Sequence, residues 1–528
     1  MSNFDTLPSV GGYNLEGNIL PDFDSSVFNI FNRTQPRSEI EGKFTEILKP
    51  ERKITADTQV INYAMVPQRK RFTYLDTIYL LGKIKLQKKI GRDGEWEGIT
   101  ENDPVSVVNN VIPSLFAKII IRLNDTEISD PTTDPYPWTS FIATLFNTTA
   151  EFKKYLEAQL YFPDDPGQHN IFNIKQNQYE CTFDASAYTS TNFNLWTGTI
   201  KQDPTTKLLD KPTPEQRRLF KKMDNMKLTL KPSPDPINTA FIKRRAPLLN
   251  GKSFSFRRRI DHDIVTSLTV LPPGTKISFQ FTKKHQDFAI LTSDINPDNA
   301  YRVLLEDLNL ELTLVEVVDS VKQAYMRKLN SSSIPPKIDF TRNFIKTYPV
   351  LSNHTHDFGY PNFIISNTLP ETLIIGFVKQ DAFLGSKNKN PYCFEKIAFT
   401  QANIIVNGRI EPEIPFETTT DEGLRRLYYH LQESCGENQQ NSQFLDLTLE
   451  QFLNGSYFLY FDRSKAKDNR ATKTIPDVGN LSIVLRASTD AKVNKFVGKE
   501  ENWMVVCFCV YQSAINFYGE HVEITQFV

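Results

Sequence analysis

The sequence predicts a mostly β chain in which one β-rich unit is written twice, and three observations carry that prediction. The first is a pair of hairpin signals about 280 residues apart: an apolar run over residues 114–123 ends in Asn124-Asp125, and another over 397–406 ends in Asn407-Gly408. Both dipeptides tolerate the positive φ of a tight two-residue hairpin. The second is the matching order of elements after each hairpin, an amphipathic helical stripe at nearly the same distance and later a glycine that opens an alternating strand. The third is composition: 38 Phe and 20 Tyr, with 31 Pro and 22 Gly spread along the whole length, suit strands punctuated by turns.

In chain order, residues 1–55 are polar and turn-rich without sustained periodicity, which reads as an extended arm. Ile78, Leu80, Ile84 and Leu86 then share one phase against Tyr79, Leu81, Lys83 and Lys85, the pattern of a strand with one buried face. After the first hairpin, Trp138, Phe141, Ile142, Leu145 and Phe146 fall at i, i+3, i+4, i+7 and i+8, a helical stripe with Pro137 in its first turn. Residues 161–247 are polar and proline-rich with weak patterning. Gly274 opens the alternation Ile277, Phe279, Phe281, and Leu308, Leu310, Leu312 and Leu314 alternate in the strand that closes the first half. Ser331 to Pro336, with two consecutive prolines, reads as the connector.

The second half repeats this order. A strand begins at Leu373-Ile-Ile375, the Asn407-Gly408 hairpin comes next, and Leu424, Leu427, Tyr428 and Leu431 form a helical stripe. Gly479 opens Leu481, Ile483 and Leu485, and an apolar run over 504–511 closes the chain. From Asn124 to Gly274 is 150 residues and from Asn407 to Gly479 is 72, so the first unit carries 150 − 72 = 78 extra residues, matching the irregular stretch 161–247. Long insertions cost little additional closure entropy.

Bulk properties narrow the function further. At 528 residues the chain exceeds one ordinary core, so two or three domains are expected. The 61 basic and 62 acidic residues leave a formal charge of −1, which argues against a surface dedicated to nucleic acid. The five cysteines follow no disulfide framework and read as reduced and buried, with Cys507 and Cys509 expected on opposite faces of one strand. The start, Met-Ser-Asn-Phe-Asp, lacks a basic segment leading into an apolar one, so secretion by a signal peptide is not expected. No window approaches the ~18–20 apolar residues of a membrane span.

Catalytic signals are weak. Asn250-Gly251-Lys252-Ser253 imitates the end of a phosphate-binding loop, but Ala246 occupies the first-glycine position and a strand pattern comes where a helix is needed. His354-Thr-His356-Asp357 is the best metal candidate, yet no third ligand is identifiable by spacing. There is no Gly-x-Ser-x-Gly elbow and no Cys-x-x-Cys pair. The basic clusters Arg69-Lys70-Arg71, Lys243-Arg244-Arg245 and Arg257-Arg258-Arg259 read as solvated faces or subunit contacts rather than phosphate sites. No catalytic, cofactor-binding or metal-ligating residue is assigned, no cofactor is expected, and the chain is not read as an enzyme.

The residues around the hairpins also carry a family resemblance. The run Leu373-Ile-Ile-Gly-Phe-Val-Lys-Gln-Asp-Ala-Phe-Leu-Gly385, with Lys389-Asn-Pro-Tyr-Cys-Phe394 and Ile404-Ile-Val-Asn-Gly408, resembles the double jelly-roll major capsid proteins of Polinton (Maverick) elements, adintoviruses and related eukaryotic DNA viruses. Val108-Asn-Asn-Val-Ile-Pro-Ser-Leu-Phe116, continuing through Leu123-Asn-Asp125 to Tyr136-Pro-Trp-Thr-Ser-Phe-Ile142, is similar to the N-terminal unit of the same family. The resemblance implies two tandem eight-stranded antiparallel jelly-roll sandwiches with short helices in loops. Its expected divisions are an arm over 1–55, a first jelly roll over 56–330 with the insertion 161–247, and a second over 337–528. It implies a structural role as a homotrimeric, pseudo-hexagonal capsomer that tiles an icosahedral virion shell. The expected partners are further copies of the chain, penton and minor or cement capsid proteins, without sequence-specific nucleic-acid binding. The expected location is the virion capsid, assembled inside the host cell. Rival readings are a tandem jelly-roll protein that binds carbohydrate or another ligand, a hydrolase on the same scaffold, and a domesticated capsid-like protein.

Overall fold

The computed structural model describes residues 40–174, 180–182, 229–231, 236–331, 337–463 and 478–526, apart from short gaps within these ranges, the longest at 129–135 and 438–444. In the first half, one antiparallel sheet has the order Ile40–Leu48, Ala300–Val317, Arg71–Lys89, Phe254–Arg259. A second has the order Val60–Met65, Ile277–Lys283, Phe116–Leu123, Thr126–Glu127. The same arrangement recurs in the second half. Its first sheet runs Lys337–Val350, Trp503–Tyr518, Thr372–Lys379, Phe458–Asp462, and its second runs Leu481–Ala487, Phe399–Val406, Arg409–Phe416. The bridges Asp357↔Arg486 and Tyr360↔Ile483 put residues 357–360 on the free side of Leu481–Ala487, the place that Val60–Met65 takes in the first half. Among the described strands, every pairing joins residues of the same half.

Alternation sets which face of each strand is buried. Ile78, Leu80, Ile84 and Leu86 point inward with Leu308, Leu310, Leu312 and Leu314 from the paired strand, and meet Ile277, Phe279, Phe281, Ile119 and Ile121 from the facing sheet. Tyr63 crosses this sandwich and donates to the Leu308 carbonyl at 2.9 Å, so the polar tip of a buried ring is satisfied. Arg71–Lys89 is 19 residues long and Trp503–Tyr518 is 16. At ~3.3 Å per residue the longer one spans about 60 Å, so a single strand serves several partners along its length. The helices expected after the hairpins are present as Tyr136–Asn147 and Asp421–Glu437, with Trp138, Phe141, Ile142, Leu424, Leu427 and Leu431 buried.

Two expectations need correction. The arm read over 1–55 contains the sheet strand Ile40–Leu48, paired with Ala300–Val317; residues 1–39 lie outside the described residues. This strand sits at a sheet edge with Phe44 and Ile47 exposed, so backbone pairing rather than burial holds it and no apolar periodicity marks it. Cys507 and Cys509 are two residues apart on one strand and therefore share a face. Of the connector read over Ser331–Pro336, Ser331 ends helix Asp319–Ser331 and residues 332–336 lie outside the described residues.

Both hairpins form as read, and they share a feature the residues alone did not disclose. Asn124 and Asp125 have φ of 48° and 67°, Asn407 and Gly408 of 50° and 81°, and each turn joins directly paired strands. In the first, the Asn124 backbone N–H donates to the Lys276 carbonyl at 2.9 Å while its side-chain oxygen accepts from the Lys276 N–H at 2.8 Å. In the second, Asn407 does the same to Asn480, at 3.0 and 2.8 Å. The hairpin asparagine thus clamps the start of the Gly-initiated strand in both units. Gly479 is part of that clamp: a Cβ there would collide with the Asn407 amide. Replacing Asn407 with Ala removes the side-chain bond and places a residue intolerant of positive φ in the turn, for an expected loss of about 1–2 kcal/mol. Asn407→Gly, which keeps the turn conformation, should lose less; the shift in chemical-denaturation midpoint distinguishes them.

Candidate assembly site at the junction of the two halves

The two halves meet through the motif blocks singled out above. Helix Tyr136–Asn147 lies in a hydrophobic cluster composed mainly of second-half residues. Its Trp138 is fully buried and packs edge-on to Tyr392 at 5.3 Å and to Phe394 at 5.8 Å, and stacks with Phe383 at 5.2 Å. Phe141 stacks on Tyr392 at 4.3 Å, and the Tyr392 hydroxyl shares a 2.5 Å hydrogen bond with Ser114. Aromatic side chains bury large areas and such pairs add about 0.5–1.5 kcal/mol each beyond burial, so this layer joins the halves firmly. Gly385 ends helix Gln380–Leu384 at φ 105°, and a Cβ there would press to 3.3 Å from Phe288 of the first half.

Beside the aromatic layer runs a buried polar chain. Asn238 caps helix Thr239–Arg245, accepting from the Phe241 N–H, and this directs Arg244 inward to full burial. Arg244 donates to the carbonyls of Val107 and Phe162 at 2.9 and 2.6 Å and to the Asp164 carboxylate at 2.6 Å. Asp164 also accepts from Asn238 at 2.7 Å and from Asn390 of the second half at 2.8 Å. Burial opposes ionisation of Asp164, but the Arg244 charge and the bonds from Arg244 and Asn238 outweigh it and hold the carboxyl below the usual range. Further along the seam, Lys153 donates to the Asp446 carbonyl at 3.0 Å. Asp263 accepts from the Asn343 backbone N–H and side-chain amide at 2.8 and 2.6 Å.

The basic clusters are thereby reassigned. Arg244 and Arg245 are not a solvated face; Arg245 donates to the carbonyls of Thr100, Glu101 and Asp103. Arg258 is buried and pairs with Asp261 at 2.6 Å. Arg257 stacks over Tyr79 at 3.5 Å and bonds Glu311 at 2.7 Å, and Arg71 covers Phe44 at 3.9 Å; Arg69 lies outside the described residues. Arginine suits these positions because its planar head can stack and satisfy several carbonyls at once. The ends of the stretch 161–247 are likewise structural, since Phe172, Phe241 and Arg244 are buried in the junction. The strands Glu180–Thr182 and Thr229–Lys231 pair antiparallel and bring its two legs together.

Other candidates are placed plainly. Asn250 and Gly251 form a turn that leads into strand Phe254–Arg259, so no helix N-terminus faces the imitation phosphate loop. His354 and His356 lie outside the described residues. Among the described residues no group of three or more His, Cys, Asp or Glu is arranged to hold a metal, and no helix is long and apolar enough to cross a membrane. Burial pushes the Cys435 thiol up to about 12 and those of Cys393 and Cys507 well above the usual range, which leaves them poor nucleophiles.

No protein-family model and no curated protein matches the sequence. Solved structures do. A chain of the Sputnik virophage, determined by cryo-EM, superimposes with a TM-score of 0.51 over 98% of this chain and 94% of its own, at 11% identity. The Faustovirus major capsid protein gives 0.51 over 93% of each chain at 7% identity. PBCV-1 VP54, fitted into a reconstruction of Sputnik, gives 0.50 over 94% of this chain and 99% of its own, also at 7% identity. The fold is that of double jelly-roll capsid proteins. The likeness extends over both halves of this chain.

Removing Arg244 tests the polar chain. Arg244→Met leaves Asp164 as a buried, unpaired carboxylate and should cost about 3–5 kcal/mol. Adding Asp164→Leu should recover part of that loss, because it removes the buried charge and leaves only neutral groups, the Asn390 amide and the Val107 and Phe162 carbonyls, short of a partner. Since the Asp164 pKa is depressed by folding, its stabilisation is present above the ordinary carboxylate pKa and lost as the pH falls below about 4. The double variant should lack that acid-dependent component in denaturation curves measured against pH.

Proposed function

We propose that this chain is the structural major capsid protein of a DNA virus or a virus-like element, and that it works as a building block. The observation that carries this reading is the duplicated sandwich welded into one body by the buried junction, in the fold of the viral capsid proteins above. Four strands along the path of each first-half sheet, and four and three in the second half with residues 357–360 bridged to the free edge of the smaller sheet, support two eight-stranded jelly rolls, the first beginning at Ile40 and the second near residue 337. A rigid pair of like units gives each subunit two similar corners, so three subunits present six and behave as a hexagonal tile. We infer homotrimeric capsomers tiling an icosahedral shell, with penton and minor capsid proteins as partners and the virion as location. Residues 1–39 would tie capsomers to one another or to an inner layer, and the central part of the insertion 161–247 would project outward or clasp neighbours.

The role needs interface area and no reactive group. Light scattering coupled to size-exclusion chromatography should find a stable particle of three times the 60.7 kDa chain mass, and negative-stain images should show hexagonal plates. A strict monomer at micromolar concentration would overturn the capsomer and favour a ligand-binding protein.

A further inference from the structure

One histidine of the junction is held where a charged ring fits poorly. Residues 164–170 of the first half carry several of the polar contacts that cross to the second. Asp164 accepts from the Asn390 side chain, the Asn390 backbone N–H donates to the Asn170 side-chain oxygen at 2.7 Å, and the Gly167 N–H donates to the Asn454 carbonyl at 2.9 Å. His169 lies among these contacts and is only 7% exposed.

The edge of its ring, with both nitrogens and the Cε1 between them, fills the space that a Cβ on residue 455 would take, and Gly455 holds a φ of 126° in the turn that receives it. Nδ1 is removed from water and has no hydrogen-bond partner among the described residues. A neutral imidazole tolerates this, because one of its nitrogens carries no hydrogen. An imidazolium carries N–H on both, and the one on Nδ1 would be a buried donor without an acceptor.

The surroundings do not fully compensate. Burial, the largest influence, favours the neutral ring and Arg244 repels a positive charge on it, while Asp164 and Asp165 attract one; the balance holds the imidazole below its usual pKa. Asp164 has little left to offer, since one carboxylate oxygen serves Arg244 and Asn238 and the other serves Asn390. A cavity of about 60 Å³ adjoins the ring and is lined also by Lys153, Tyr161, Tyr392 and Asp446. Lys153 is paired with Asp446 at 3.5 Å, and burial pushes its ammonium below, and the two phenols above, their usual ranges. This volume and polar lining suit water, and Asp446 is half-exposed, so protons from solvent reach the seam.

We propose that His169 is an acid-operated latch: its neutral ring closes the contact between residues 164–170 and the turn at 454–456, and protonation expels the ring and loosens the junction of the halves. The body is then firm near neutral pH and yields in mild acid. Because folding depresses this pKa, the unfolded chain binds the proton more tightly. The stabilisation is complete above the ordinary imidazole value of about 6.5 and falls as the pH drops through it, by up to about tenfold in the folding equilibrium per pH unit. The window lies above the one set by Asp164, and the device is contained in one chain, so it does not rest on the capsomer reading.

Buried His262, pushed down to about 4 by burial and Arg342, titrates in the same direction, so the test must resolve sites. Hydrogen exchange followed by mass spectrometry on the full chain does so. Between pH of about 7.5 and about 5.5, corrected for the intrinsic pH dependence of exchange, protection over 164–170 and 454–456 should fall about tenfold in the parent, while strand Ile277–Lys283 keeps its protection. His169→Gln, which stays neutral, should flatten that response, and His262→Gln should retain it. Exchange at the imidazole Cε1 hydrogens gives the titration of each histidine in the parent itself and decides the case if His169→Gln fails to fold; the His169 midpoint should lie below about 6.5. Two segments equally protected at both pH values, a His169→Gln variant that responds like the parent, or a His169 midpoint at or above the ordinary value overturns the latch.

Discussion

The molecule depends on a seam in which polar and aromatic contacts are interleaved. The Arg244 head group is completely removed from water, a placement that is tolerable only because carbonyls and a carboxylate replace its hydration. The carboxylate in turn belongs to Asp164, which also receives Asn390 from the other half. Separating the halves would break the bond from Asn390 to Asp164 and expose the aromatic layer around Trp138 and Tyr392, so the seam resists partial opening. The aromatic layer beside it supplies attraction, and the polar chain supplies register. Two similar sandwiches become one rigid body.

That rigidity gives the duplication a mechanical meaning. The clamp from a hairpin asparagine to the start of the Gly-initiated strand recurs at Asn124 and Asn407 with nearly the same distances, and the strand orders of the halves agree. The units are nevertheless unequal. The first half commits the ends of its extra segment to the junction, where Asp164, Asn238 and Arg244 meet. A segment that looks like surface decoration from its composition is, at its two ends, interior structure.

Legibility tracked the range of the interaction. Alternation such as Ile277, Phe279, Phe281 and the stripe Trp138, Phe141, Ile142, Leu145 were readable because burial on one face of a regular element imposes a fixed period. Both hairpins were readable because positive φ restricts the residues that can occupy the turn. Strand Ile40–Leu48 was missed because backbone pairing at a sheet edge needs no particular side chains. Arg244, Arg245 and Arg258 were misread as surface because a cluster of basic residues looks the same whether carbonyls or water solvate it. The meeting of Tyr392 with Ser114, 278 residues apart, left no local trace.

By itself, therefore, the sequence determined what depends on neighbours within a few residues: the periods, the turns, the repeat and the surplus of residues in the first unit. A resemblance in its motif blocks pointed to the fold in which those pieces are known to combine. Only the tertiary structure decided that the two motif blocks face each other and that Arg244 is a strut. Those outcomes depend on which distant groups are brought out of water together, and no pattern along the chain encodes that except through the fold.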